Sequence, residues 1–221
     1  RDPVSAVELP RPFAGDYRTA WDALGAEDPI EAPLPSGKYA DLLPSIPEGS
    51  NYQYLTAQGG GPGVELFGFR TRFWSFLLKL AKDRPAWTLP ASPGPSTGPF
   101  HWDNRPLASE ERMLLQGFPA EWKLVDNERV NIRLAGNATP PPLAESVGRF
   151  IKAKLAAPEA PVDVQTVSAH LATPRRGNPP APTPPAPLPE RWRGQVRSRE
   201  AHPGTGLGPA NHGMVCNRVD V

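Results

Sequence analysis

The chain has 221 residues, a formal net charge of +1 and 38% hydrophobic residues. That charge excludes a whole-molecule basic field, so any contact with nucleic acid must come from local patches. A single cysteine, Cys216, excludes an internal disulfide, and no apolar run approaches the ~20 residues that span a bilayer.

Proline is the outlier, at 31 residues, with 20 glycines beside it. That load predicts that part of the chain packs no core. No signal peptide is visible, and the lone cysteine fits a reducing compartment, so the expectation is a soluble, cytoplasmic chain. The chain opens on Arg1 rather than Met, which reads as a piece of something longer.

Residues 1–35 form a proline-punctuated lead-in. Within it Tyr17, Ala20, Trp21 and Leu24 fall three and four apart, and Gly25 supplies a helix stop. Residues 36–155 read as globular, with Trp74, Trp87, Trp102 and Trp122 placed where a core would want them. Gly59-Gly60-Gly61-Pro62-Gly63 is a strong chain breaker. The spacing of Phe73, Phe76, Leu77 and Leu80 predicts a helix over 72–83, with Arg70, Arg72, Lys79, Lys82 and Arg84 on or beside it.

A further helix is predicted over 109–116, with Ser109 able to cap it, Glu110 and Glu111 in its first turn and Gly117 at its stop. Another follows Pro140-Pro141-Pro142, with Leu143, Val147, Phe150, Ile151 and Leu155 as its apolar stripe. From about 156 the character changes: residues 178–189 alternate Pro with Ala, Thr and Leu, and the tail is locally basic. Residues 156–221 are therefore expected to be largely disordered.

Two segments carry more than composition. One is Arg105-Pro106-Leu107, continuing through Glu111 to Leu115-Gln116-Gly117-Phe118-Pro119; the other is Gly136-Asn137-Ala138-Thr139-Pro140-Pro141. In type, order and spacing they resemble the ninth and tenth motifs of the DNA (cytosine-5)-methyltransferases. The Trp-rich approach, Arg84–Leu89 and Gly98–Trp102, is similar too. Leu114 and Leu134 depart from the family pattern, where Arg and Gln are usual.

The resemblance covers roughly residues 1–155 and implies an α+β fold. Its parts would be a small target-recognition domain at 36–104, the closing segment of an α/β S-adenosylmethionine-dependent methyltransferase domain at 105–155, and a disordered Pro-rich tail. It implies double-stranded DNA as substrate and S-adenosylmethionine as cofactor, within a restriction-modification system. Gly136, Asn137 and Ala138 become candidate cofactor contacts, through a turn whose exposed amides could hold a carboxylate. Arg105 and Glu111, with Gln116 and Gly117, are implied to order the recognition region. Arg70, Arg72, Gly60 and Gly61 are candidate DNA contacts, since an arginine fork meets two acceptors on guanine.

The family's nucleophile is a cysteine after a proline. Cys216 follows Val215 in the tail, so no catalytic residue is assigned to this chain, and an N-terminal catalytic half is expected as its partner. No metal site is expected. Gly204–Gly208 imitates a glycine-rich cofactor loop and Gln195–Arg199 imitates the family's eighth motif, but both follow the tenth motif and are rejected. Two other readings stand beside this one. The chain could be a DNA-binding module without methylation, or an interaction protein presenting residues 179–189 as a proline-rich ligand.

Overall fold

Thr19 starts the first helix. Its hydroxyl accepts from the Asp22 amide at 3.2 Å, and the Asp22 carboxylate accepts from the Thr19 amide at 2.8 Å. This reciprocal cap opens α1 (Ala20–Leu24), which ends at Gly25. The computed structural model describes residues 17–25, 33–59, 61, 65–70, 72–157 and 177–193. Gly60, Cys216 and the segments 195–199 and 204–208 lie outside the described residues.

Two 3₁₀ turns follow, Ala40–Ser45 and Tyr52–Leu55. Together they bury Leu42, Leu43, Tyr52 and Leu55. These residues join Ile46, Leu66, Phe67, Leu77 and Phe100 in one core cluster. A second cluster gathers α1 around Leu80, Leu89, Trp102 and Leu107.

Between these clusters the predicted helix over 72–83 does not form. Leu77 sits at φ 53°, outside the right-handed helical region. Amides that a helix would bond locally go elsewhere: Leu77 donates to Ser96, Lys79 to Ser50 and Leu80 to Phe100. The apolar residues do point inward, but into two different clusters, which an irregular extended chain can serve. Lys79 and Lys82 are buried with them.

Where the α+β expectation places a sheet, the described residues hold isolated bridges and no ladder, among them Phe76 to Thr97 and Lys79 to Phe100. Five prolines between 85 and 99 remove donors that a ladder requires. The architecture is mixed, mainly helical, with few strand pairings.

The closing half is α2 (Ser109–Leu115), α3 (Glu128–Asn137) and α4 (Pro141–Ala156). Ala108, not Ser109, precedes the first turn of α2, and Glu111 accepts its amide at 2.9 Å. Prolines at the first two positions suit α4, where amides have no helical partner anyway. No helix among the described residues is long and apolar enough to cross a membrane.

The tail also differs from its expectation over 177–193. This segment runs extended across the first cluster and ends in a short helix, α5 (Glu190–Arg193). Trp192 is 2% exposed and stacks on Tyr39 at 5.7 Å. Arg191 grips Asp41 with two bonds, at 2.7 and 2.5 Å, and the Ala186 amide donates to the Pro44 carbonyl at 2.8 Å. A proline-rich segment is already extended, so docking it orders few new torsions. Of the four tryptophans expected in the core, Trp102 is buried there. Trp74, Trp87 and Trp122 are exposed, while Trp192 is the deepest of those described.

Candidate functional site

The segments that look like two motifs in sequence meet in space. Arg105 meets Glu111 as a fork, Nη1 to Oε2 at 2.8 Å and Nη2 to Oε1 at 2.7 Å. The Glu111 side chain is only 4% exposed, so this bidentate pair is shielded from water on its acidic side. His101 lies against it, its Nε2 3.8 Å from Glu111 Oε1. On its other side His101 Nδ1 meets Asp103, 3.1 Å from both the backbone amide and a carboxylate oxygen. Burial, followed by the nearby Arg105 charge, pulls the His101 pKa down to about 4. His101 is therefore a neutral ring wedged into the pair.

Two further bonds tie α2 to α3. The Gln116 side-chain amide donates to the Ala135 carbonyl. Glu128, at the start of α3, accepts from the Ser109 amide at 3.0 Å and from its hydroxyl at 2.5 Å. Gly117 adopts φ 83° and packs where a Cβ would lie 2.8 Å from Pro142 Cγ, so α4 starts directly against the end of α2.

A cleft of about 350 Å³ opens at this junction, lined by Trp87, Thr88, Leu89, Gln116, Gly136 and Ala138 among others. Gly136 and Ala138 thus share a wall with Gln116. The Gly-Asn-Ala turn itself is not observed. Gly136 and Asn137 form the last turn of α3, and the Ala138 amide donates to Ala135. A helix C-terminus presents carbonyls and partial negative charge, which does not suit a carboxylate. Nor does the missing Gly136 side chain face a ligand: a Cβ there would sit 2.3 Å from Ala91 Cα, so glycine serves close packing. As a cradle for the carboxylate of S-adenosylmethionine these residues do not fit. What they offer is the exposed Asn137 side chain and the cleft wall.

The candidate DNA contacts are scattered. Arg70 is 3% exposed, and none of its guanidinium nitrogens has a hydrogen-bond partner among the described residues. It rests over Phe73 at 5.7 Å. Arg72 is exposed, so the two arginines do not form one accessible pair. At Gly61 a Cβ would stand 1.9 Å from the Tyr54 carbonyl, so glycine there allows the loop to lie on the second 3₁₀ turn.

Residues 82–153, which hold this entire junction, match the family profile described as C-5 cytosine-specific DNA methylase. Over this third of its length the chain is similar to that family. It is 37% identical over 129 residues to the type II methyltransferase M.SacI of Streptomyces achromogenes, covering 54% of this chain and 33% of that protein. To the type II methyltransferase M.BbvI of Brevibacillus brevis it is 27% identical over 180 residues, covering 76% of this chain and 47% of the relative. A shorter match, 39% over 48 residues, joins it to M.HgiCII of Herpetosiphon aurantiacus. The chain therefore spans between a third and a half of the first two relatives' length. No solved structure matches it.

Within this methylase segment, sequence reasoning missed several residues. Glu128 and all of α3 went unread, although Asn127 is a cap residue and its side chain accepts from Val130. Trp87 reads as a core tryptophan and as part of an approach, yet it is exposed and lines the cleft. His101 carried no signal beyond its type. Lys79, just before that segment, reads only as a cation on or beside a helix, yet its ammonium donates to the Ile46 carbonyl at 2.8 Å and to Asn104 at 2.7 Å.

Proposed function

We propose that this chain is the DNA-recognition and closing portion of an enzyme that moves a methyl group from S-adenosylmethionine to carbon 5 of cytosine in double-stranded DNA. The setting we propose is a restriction-modification system. The observation that carries the proposal is the α2–α3–α4 junction. Its Arg105–Glu111 fork, Gln116 link and Gly117–Pro142 contact all fall inside the stretch that matches the methylase family.

In this reading residues 36–104 recognise DNA and 105–155 close the methyltransferase domain. Arg72 and Gly61 are accessible enough to meet DNA, whereas Arg70 must first be uncovered. Arg105 and Glu111 hold the recognition region in place, and His101 fills the space behind them. Asn137 and the Gly136–Ala138 wall are this chain's share of the cofactor side. Cys216 follows Val215, so the attacking thiolate is assigned to a partner half rather than to this chain. The stripe on α4 is the surface where that half would pack.

Transfer of labelled methyl groups from S-adenosylmethionine to DNA tests this, with the chain alone and with a candidate catalytic half. Transfer only in the mixture is the expected result. Transfer by the chain alone would overturn the assignment of the chemistry to a partner. A folded mixture that transfers nothing would sink the proposal.

A further inference from the structure

Trp74 and Trp87 come from separate stretches of irregular chain, yet their rings meet edge to face, 4.5 Å between centroids. Both remain open to solvent, at 46% and 41%. Neither indole N–H has a hydrogen-bond partner among the described residues. Two large aromatic rings held together at a surface form a patch that water solvates poorly, and such anchors are common at binding interfaces.

The pair is fixed rather than loose. Asn51, itself buried, donates from Nδ2 to the Trp74 carbonyl at 2.7 Å. Trp87 stands in the wall of the cleft beside Gln116. Its surroundings are cationic. Arg72, two residues before Trp74, is exposed, and so is Arg84, three residues before Trp87, with a side chain 68% open. The acid beside them is Asp83, 3.7 Å from Arg84 Nε and itself largely exposed, too wet a pairing to neutralise the patch.

We propose that the Trp74–Trp87 pair is a contact surface for double-stranded DNA. Its rings pack on sugars and base faces exposed where the duplex opens around an extruded nucleotide, and Arg72 and Arg84 meet phosphates alongside. This rests on the DNA-recognition reading above. It adds an aromatic element that the arginine and glycine candidates do not include.

The test is the affinity of the full-length chain for a labelled duplex of mixed sequence, measured across a salt series. Trp74→Ala and Trp87→Ala should each weaken binding by about 5- to 50-fold, in line with the loss of one stacking contact. Trp74→Phe should stay within about threefold of the parent, because a ring remains to stack. The two tryptophan changes should leave the salt slope alone, whereas Arg72→Gln and Arg84→Gln should each flatten it by about one unit. Alanine variants that fold and bind the duplex like the parent would overturn this inference and leave the DNA reading standing. A parent chain that binds no duplex at any salt would take down both.

Discussion

Helix α4 and the segment at 177–193 both carry large apolar side chains beyond the compact middle of the chain. The helix leaves Leu143, Val147, Ile151 and Leu155 between 45% and 79% exposed, and only Phe150 is buried. The tail segment sinks Trp192 to 2% and lays Pro187 and Leu188 beside Ser45 and Leu55. The difference lies in what each backbone needs. A helix satisfies its own amides and carbonyls, so α4 can form with its stripe open. An extended proline-rich stretch makes no ladder of its own, and this segment is held mainly by partners such as Pro44, Asp41 and Tyr39. An apolar stripe in a sequence therefore says that a face exists, not that anything covers it. Proline richness sets a conformation, not whether the segment docks.

The largest expected effect tests whether the tail belongs to the core. Trp192→Ala removes a buried ring that stacks on Tyr39 and donates from its indole to Asp41. It should cost about 3–5 kcal/mol, the range for truncating a buried Trp, and thermal unfolding should shift down accordingly. An unchanged midpoint would mean that the segment only rests on the surface, and the contrast with α4 would collapse. The same docking limits the reading of residues 179–189 as a free ligand, because Pro185 and Pro187 already line a groove with Ser45 and Tyr54.

Acid separates the regions without any substitution. Burial and Arg105 hold the His101 pKa down at about 4, so between about 6.5 and 4 the unfolded chain binds a proton that the folded chain refuses. Stability from this group is complete above about 6.5 and is lost as pH falls toward 4, by up to about 3 kcal/mol. At Asp41, partial burial pushes the carboxyl up, but bonds from Arg191 and Trp192 outweigh that and hold it below its ordinary value. Its contribution is present above the ordinary carboxylate range and fades as pH falls below it. Denaturation followed from pH 7 to 3 should therefore show the junction weakening before the tail anchor. Simultaneous loss of both would contradict the order.

Much of the helical framework was legible. Gly25, Gly117 and the Pro140–Pro142 run mark real boundaries because each acts through local backbone geometry, which sequence states directly. The Arg105–Glu111 fork was legible only through its motif, since a separation of six positions does not by itself say that two charges meet. The stretch at 72–83 was misread because helical spacing also arises when an irregular chain feeds two cores in turn. The Gly-Asn-Ala segment was misread for a related reason: its glycine answers to the approach of Ala91, a contact distant in sequence. Burial of Arg70, Lys79 and Trp192 likewise depends on partners far along the chain, and no local pattern announces it.

The smallest effect on stability, and the sharpest test of the contrast, belongs to α4. Leu143→Glu and Ile151→Glu replace side chains that are 55% and 50% exposed. Each should change unfolding of the chain by no more than about 0.5 kcal/mol, as expected of surface positions, apart from a little helix propensity. Their effect should appear instead in what the open stripe does. Exposed apolar patches promote association and bind hydrophobic dyes. Both substitutions should lower concentration-dependent self-association in sedimentation experiments and reduce dye binding, with helix content unchanged. If either one destabilised the chain as strongly as Trp192→Ala, the stripe would have a covering partner inside this chain. The helix would then be the counterpart of the tail segment rather than its opposite.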